Sequence, residues 1–84
     1  MSTVRVGSIC FRLLPDDHAP RHAHGEYSNV EVIVNLRADG TAVLANRTDR
    51  VQPRDAKRRD VRRILMAAQE HFDELVAAWE EMHP

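Results

Sequence analysis

The sequence predicts an α+β fold, a small antiparallel sheet of four or five strands covered on one face by one long C-terminal helix. Short alternations of apolar and polar residues, separated by turn residues, fill residues 3–46 and are typical of antiparallel strands. Residues 53–82 contain no glycine, and no proline after Pro53, and they repeat apolar residues at steps of three and four. A chain of 84 residues suffices for one core, so we expect a single domain over residues 1–84.

The first two predicted strands, Thr3–Val6 and Ile9–Leu14, flank Gly7-Ser8, a two-residue hairpin signal. Cys10 falls on the opposite phase of the second strand, and we interpret it as a covered, unreactive thiol because Arg12 is its only basic neighbour in sequence. The residues expected to face the core are Val4, Val6, Ile9, Phe11 and Leu13.

Three further strands are predicted from the same alternation. His22–Tyr27 ends at a Ser-Asn turn, and Val30–Leu36 is the strongest strand because it is rich in β-branched residues. An Asp-Gly turn then leads to Thr41–Asn46, and a polar loop reaches Pro53. The order of the elements is therefore that of a meander followed by one helix.

The predicted helix carries one apolar stripe. A stripe at these spacings covers a sheet, or it forms a heptad seam through which two copies associate as a homodimer. We favour the sheet because the seam spans only three heptads and an alternating sheet is available to accept it. The stripe residues are Val61, Leu65, Ala68, Phe72, Leu75, Trp79 and Met82.

Composition limits the classes of protein that the chain can represent. A single cysteine excludes an intramolecular disulfide and is typical of a reducing cytoplasm, which is the location we expect. No apolar run approaches the length of a membrane span, so no membrane partner is expected. The sequence also lacks a nucleophile elbow, a Cys-x-x-Cys pair and a glycine-rich phosphate loop.

Three of the five histidines lie between His18 and His24. If His22–Tyr27 is a strand, His22, His24 and Glu26 project to the same face. The imidazole side chain suits general acid–base catalysis, and His22 and His24 are the candidates for that role. Alternatively, His18, His22, His24 and Glu26 supply a divalent metal site, or the histidines are only hydrogen-bonded parts of a polar strand.

The net charge of −1 conceals a basic segment at the start of the predicted helix. The segment suits an RNA phosphate backbone or an acidic protein, and a solvated surface is the simpler interpretation. No aromatic residue is interleaved with it, which argues against base stacking there. The candidate anion-binding residues are Arg54, Lys57, Arg58, Arg59, Arg62 and Arg63.

Several segments together resemble the small bacterial proteins of the domain-of-unknown-function family DUF4160. They are Phe11-Arg12, the Pro20-Arg21-His22-Ala23-His24 motif with Gly25-Glu26-Tyr27, the Val/Ile strand, and the helix with Leu75 and Trp79. The resemblance covers nearly the whole chain and implies a strand-rich domain closed by a C-terminal helix. Family members are often encoded beside another small protein, and such pairs are commonly proposed to be toxin–antitoxin modules. The second proline that often precedes the motif is absent, and Arg21 stands before His22.

Three functions therefore remain open from the sequence. The first is the toxin-like component of a two-protein module that binds RNA or RNA-handling machinery, with a small partner protein encoded nearby. The second is a small metal-dependent hydrolase, and the third is a non-catalytic module that binds or regulates another protein. Whether the protein is an enzyme is not decided by the sequence, and no cofactor is expected except the divalent metal of the second function.

Overall fold

A computed structural model describes residues 1–84 and contains six β-strands followed by two α-helices. The α+β class and the antiparallel sheet are confirmed, with one strand more than the sequence predicted. No helix combines the length and apolarity that crossing a bilayer requires. The strands are β1 Ser2–Val6, β2 Ile9–Leu13, β3 His22–Tyr27, β4 Val30–Leu36, β5 Ala42–Leu44 and β6 Val51–Gln52, and the helices are α1 Arg58–Glu70 and α2 Phe72–Met82.

The sheet is an antiparallel meander in the order β1-β2-β3-β4-β5, and β6 also pairs with β4. Val6 pairs with Ile9 across the predicted Gly-Ser turn, where Gly7 has a φ of 60°. Tyr27 pairs with Val30 across a second two-residue turn. Both residues of this turn, Ser28 and Asn29, have positive φ, as the tight hairpin turns of twisted sheets require.

One edge of β4 carries both β5 and β6. The amide of Ala45 donates to the Ile33 carbonyl, and the amide of Ile33 donates to the Arg50 carbonyl. The intervening chain, residues 45–50, therefore leaves and rejoins β4 at a single residue, and we call it the bridging loop. The sequence predicted this polar loop but not β6, whose two residues are too few for an alternation to be visible.

The prediction of one long helix over residues 53–82 is wrong in detail. Residues 53–56 form a separate turn closed by a hydrogen bond from the Ala56 amide to the Pro53 carbonyl, and α1 begins at Arg58. The helix is then interrupted at His71, whose φ is −110° and ψ is 27°. The single predicted helix is therefore two helices that meet at His71.

Both helices pack on the same face of the sheet. Ile64, Leu75 and Trp79 are buried there, whereas Val61 and Phe72 of the predicted stripe are half-buried beside them. A Cβ placed on Gly25 would lie 2.6 Å from Cγ2 of Ile64, so glycine permits this close approach of α1. The buried strand residues on this face are Val4, Ile9, Phe11, Leu13, Ala23, Val30, Val32, Val34 and Leu36.

Candidate functional site

The opposite face of the sheet carries the histidines. Because Gly25 lies against α1, alternation along β3 places His22, His24 and Glu26 on the other face, although His22, at the start of the strand, also comes within 5.4 Å of the Trp79 ring at the end of α2. Asp17 reaches the same region from the loop between β2 and β3, residues 14–21. The sequence treated the segment around Asp17 only as a turn, and its contact with the histidines is a tertiary one.

Asp17, His22 and His24 form a compact group that we call the histidine cluster. Oδ2 of Asp17 lies 2.9 Å from Nε2 of His24 and 3.2 Å from Nε2 of His22. The three side chains are 20%, 7% and 12% exposed, respectively. The two imidazole centroids lie 5.3 Å apart at an edge-on angle. The cluster therefore brings three potential proton-transfer or metal-ligating groups together in a largely water-excluded position.

The Nδ1 atoms of both imidazoles, which point away from Asp17, face other acceptors. Nδ1 of His22 lies 2.8 Å from the Pro20 carbonyl oxygen, and Nδ1 of His24 lies 3.5 Å from Oε2 of Glu31. Nε2 of His22 is buried and has no hydrogen-bond partner, although it lies near Asp17. A buried nitrogen without a partner is uncommon and costs free energy unless a proton or a cation compensates it.

The other predicted metal ligands lie outside this cluster. Glu26 forms an ion pair of 3.1 Å with Arg12, which also contacts Glu31 at 3.3 Å. His18 is exposed on the loop and is not among the groups whose ligand atoms converge. The structure thus brings His22 and His24 together, adds Asp17, and leaves His18 and Glu26 apart from them.

A groove of about 780 Å³ lies between α1 and the bridging loop. Five arginines line it, so we call it the arginine groove, and apolar residues such as Val51 and Val61 form part of its wall. Only Arg47 is held by a carboxylate, through two bonds of 2.8 Å to Asp49. The five arginines are Arg47, Arg50, Arg54, Arg58 and Arg62.

Three of the six predicted anion-binding residues line the arginine groove, namely Arg54, Arg58 and Arg62, and none of them forms an ion pair within the chain. Lys57 and Arg59 lie outside it. Arg63 instead donates to the Tyr27 hydroxyl at 3.2 Å. The groove also contains Arg47 and Arg50, which the sequence analysis missed because they belong to a loop rather than to the helix.

The arginine groove and a cavity beside the histidine cluster share part of their lining. A second cavity of about 570 Å³ is lined by Asp17 and His22. It shares Asn46 and Arg47 with the arginine groove. The bridging loop therefore lies between the two cavities and contributes side chains to both.

Within the bridging loop, Asp49 compensates the charge of Arg47. The hydrogen bond from Arg47 lowers the pKa of the Asp49 carboxyl below its usual value, and the charge of Arg47 lowers it further. Asp49 is therefore ionised at neutral pH and neutralises Arg47. The remaining arginines of the groove keep uncompensated positive charge.

The model of the domain of unknown function DUF4160 matches residues 8–80. The chain belongs to this family. No curated protein and no solved structure shows significant similarity to the chain. The DUF4160 match spans β2 to α2, so it includes the histidine cluster and the whole of the arginine groove. The resemblance expected from the sequence is confirmed.

Proposed function

We propose that this DUF4160 protein is the toxin-like component of a bacterial two-protein module and that it binds RNA. The RNA backbone lies in the arginine groove, where guanidinium groups contact successive phosphates. The histidine cluster lies at the end of this path, beyond Arg47. The proposal combines an electrostatic binding surface with a nearby group of reactive side chains.

One observation carries the RNA assignment. Arg54, Arg58 and Arg62 face a groove without any carboxylate of their own to neutralise them. Arginine binds phosphate through paired N–H donors, and a row of such groups is the usual means of holding a nucleic-acid backbone. The groove lacks an aromatic side chain, so we expect contacts to phosphates rather than stacking on bases.

The catalytic role predicted for His22 and His24 stays a prediction. Its support is positional, because His22 lines a cavity that shares Asn46 and Arg47 with the arginine groove. The assignment to a two-protein module, with a small partner encoded nearby, depends on the family. A purely protein-binding module would use the same arginines against an acidic partner, and the experiment below separates the two.

The test measures binding of a fluorescent single-stranded RNA by anisotropy over a range of salt concentrations. Replacing Arg54, Arg58 and Arg62 by alanine removes three phosphate contacts. For a single strand, each contact contributes about 0.7 to the slope of log affinity against log salt. We therefore expect the triple variant to bind more weakly and the slope to flatten by about 2.

The matched control replaces Arg5, Arg37 and Arg59 by alanine. These residues are exposed, none lines the arginine groove, and their loss changes the net charge by the same amount. We expect this variant to keep a slope close to that of the parent protein. Equal losses in both triple variants, or no salt-dependent binding by the parent protein, would refute the assignment to RNA.

The module assignment is tested by expression in bacterial cells. The protein alone should arrest growth, co-expression of the neighbouring small protein should relieve the arrest, and the Arg54/Arg58/Arg62 variant should be less toxic. Growth unaffected by the parent protein would contradict the toxin-like role and would leave the RNA measurement unaffected.

A further inference from the structure

We propose that the histidine cluster is a binding site for a divalent transition-metal ion such as Zn²⁺. The ligand atoms are Oδ2 of Asp17, Nε2 of His22 and Nε2 of His24, which all lie within 4.8 Å of one another. Two imidazoles and one carboxylate are the ligand set of open zinc sites, in which a further position is left for water or substrate. This inference is independent of RNA binding.

The first argument is the tautomer of His22, that is, which ring nitrogen carries the proton. Nδ1 of His22 lies 2.8 Å from the Pro20 carbonyl oxygen, which can only accept, so Nδ1 carries the proton. In the neutral ring, Nε2 then has a lone pair. This nitrogen is buried without a hydrogen-bond partner, and it lies 3.2 Å from Oδ2 of Asp17, which is also an acceptor. Oδ2 of Asp17 already has a hydrogen bond of 2.9 Å with Nε2 of His24, so a cation that replaced this proton would bind Asp17 and His24 and also the lone pair of His22.

The second argument is the environment of His24. Its Nε2 faces Asp17, whereas its Nδ1 lies 3.5 Å from the carboxylate of Glu31. A metal-bound histidine commonly directs its other ring nitrogen at a carboxylate or a backbone carbonyl, which fixes the tautomer and the orientation of the ring. Glu31 would have this role for His24, as the Pro20 carbonyl has for His22. Arg12 holds Glu31 in place at 3.3 Å.

The third argument is size. Zinc bonds of about 2.0–2.1 Å in a tetrahedral arrangement separate neighbouring ligand atoms by roughly 3.3 Å. Oδ2 of Asp17 lies 2.9 Å from one imidazole nitrogen and 3.2 Å from the other. Side-chain shifts of a few tenths of an ångström at Asp17 would bring these two distances to the tetrahedral value, and rotation of the two imidazoles, whose nitrogens lie within 4.8 Å of each other, would complete the site.

The fourth argument is access. Asp17 and His22 line the cavity of about 570 Å³ that also contains Asn46 and Arg47. A water molecule or an oxygen anion on the open coordination position would therefore lie on the cavity side of the cluster. Arg47 lines the same cavity, although its guanidinium is bonded to Asp49.

The experiment uses full-length protein stripped of metal with a chelator and titrated with Zn²⁺ by calorimetry. Co²⁺ gives a visible absorption spectrum that reports its coordination. We expect one equivalent of Zn²⁺ and a rise in melting temperature with Zn²⁺ concentration. Asp17→Asn and His24→Gln should each lower the affinity by more than about 100-fold, and Glu31→Gln by about 10- to 100-fold.

His71→Ala is the matched control, because it removes a histidine at the junction of the helices, outside the cluster and its cavity. It should bind one equivalent with the affinity of the parent protein. The proposal is overturned if the stripped parent protein binds no Zn²⁺, or if folded Asp17→Asn and His24→Gln proteins bind it unchanged. Circular dichroism establishes that each variant is folded. Zinc binding by a protein that fails the RNA test would leave this inference standing.

Discussion

The ring of His83 lies flat against the ring of Trp79, with centroids 3.6 Å apart and planes inclined by 14°. Nδ1 of His83 faces the Trp79 carbonyl at 2.9 Å, and Nε2 faces the Asp17 carbonyl at 2.8 Å. The end of α2 is thereby attached to the loop that carries Asp17. Trp79 also lies 5.4 Å from the ring of His22, so this stack borders the histidine cluster.

Substitution of His83 should loosen the loop that holds Asp17. His83→Phe keeps a ring against Trp79 but loses the ring-nitrogen contacts to the Asp17 and Trp79 carbonyls, at a cost of about 0.5–1.5 kcal/mol for each hydrogen bond. His83→Ala also loses the stack, which adds about 0.5–1.5 kcal/mol. Hydrogen exchange at the Asp17 amide, which is bonded to the Leu14 carbonyl, should accelerate in the order parent, Phe, Ala.

His71→Ala serves as the control for this series, because His71 lies at the junction of the helices and does not contact the loop. In the His71→Ala variant, the Asp17 amide should exchange at the same rate as in the parent protein. Unchanged exchange in His83→Ala would mean that the loop is held by other contacts.

Gly25→Ala should destabilise the domain. The added methyl would lie 2.6 Å from Ile64 Cγ2 and 2.8 Å from Phe11 Cε1, and both side chains are fully buried. Overpacking of this kind costs about 1–3 kcal/mol. Urea denaturation should show a lower midpoint, and a midpoint equal to that of the parent protein would mean that α1 is free to move away from β3.

Gln69→Ala should weaken the attachment of α1 to the β4–β5 hairpin. The Gln69 amide donates to the Gly40 carbonyl and accepts from the Ala42 amide, both at 2.9 Å. These groups are exposed to water, so we expect a loss of about 0.5–1.5 kcal/mol in the free energy of unfolding, measured by urea denaturation. Glu70→Ala is the control because Glu70 is exposed and makes no side-chain hydrogen bond. An equal loss of stability in the two variants would mean that Gln69 does not attach α1 to the hairpin.

The strands were predictable because their signals are local. Gly7-Ser8 lies between two alternating segments, and Val30–Leu36 is β-branched and bounded by turns, so each element can be recognised without its neighbours. The interruption at His71 has no such signal, since no glycine or proline accompanies it. A change of backbone angles at one such residue leaves no local pattern that the sequence could reveal.

The site was predictable only in part, for the same reason. His22 and His24 share a face of one strand, so their proximity follows from period two. Asp17 joins them through a loop, and Arg47 reaches the arginine groove through the bridging loop, whose course depends on two backbone bonds to Ile33. Loop residues brought together in this way leave no periodic pattern in the sequence.

The pKa of Asp49 provides a test of the Arg47–Asp49 pair. The Arg47 hydrogen bond lowers this pKa, so the pair stabilises the folded protein above the usual carboxyl pKa of about 3.9. Its contribution is lost only as the pH falls through the lowered value. In Arg47→Ala, we expect the pKa of Asp49 to rise towards its usual value in an NMR titration of the carboxyl carbon. An unchanged midpoint would mean that Arg47 does not hold Asp49.

Asp49→Asn should strengthen RNA binding if the proposed function is correct. In the parent protein, the guanidinium of Arg47 makes two bonds of 2.8 Å to the Asp49 carboxylate. Arg47 lines both the arginine groove and the cavity beside the histidine cluster. Loss of the carboxylate charge would free Arg47 for one more phosphate. The affinity should therefore rise, and the slope of log affinity against log salt should steepen by about 0.7.

Asp39→Asn is the matched control for this prediction. Asp39 also has a lowered pKa, caused mainly by the Thr41 hydroxyl, and it lies 3.8 Å from Arg37 rather than beside the arginine groove. Both substitutions remove one negative charge, so a general electrostatic effect would strengthen RNA binding equally in the two variants. A gain confined to Asp49→Asn would locate the phosphate path at the bridging loop, because only there does the released guanidinium face both cavities.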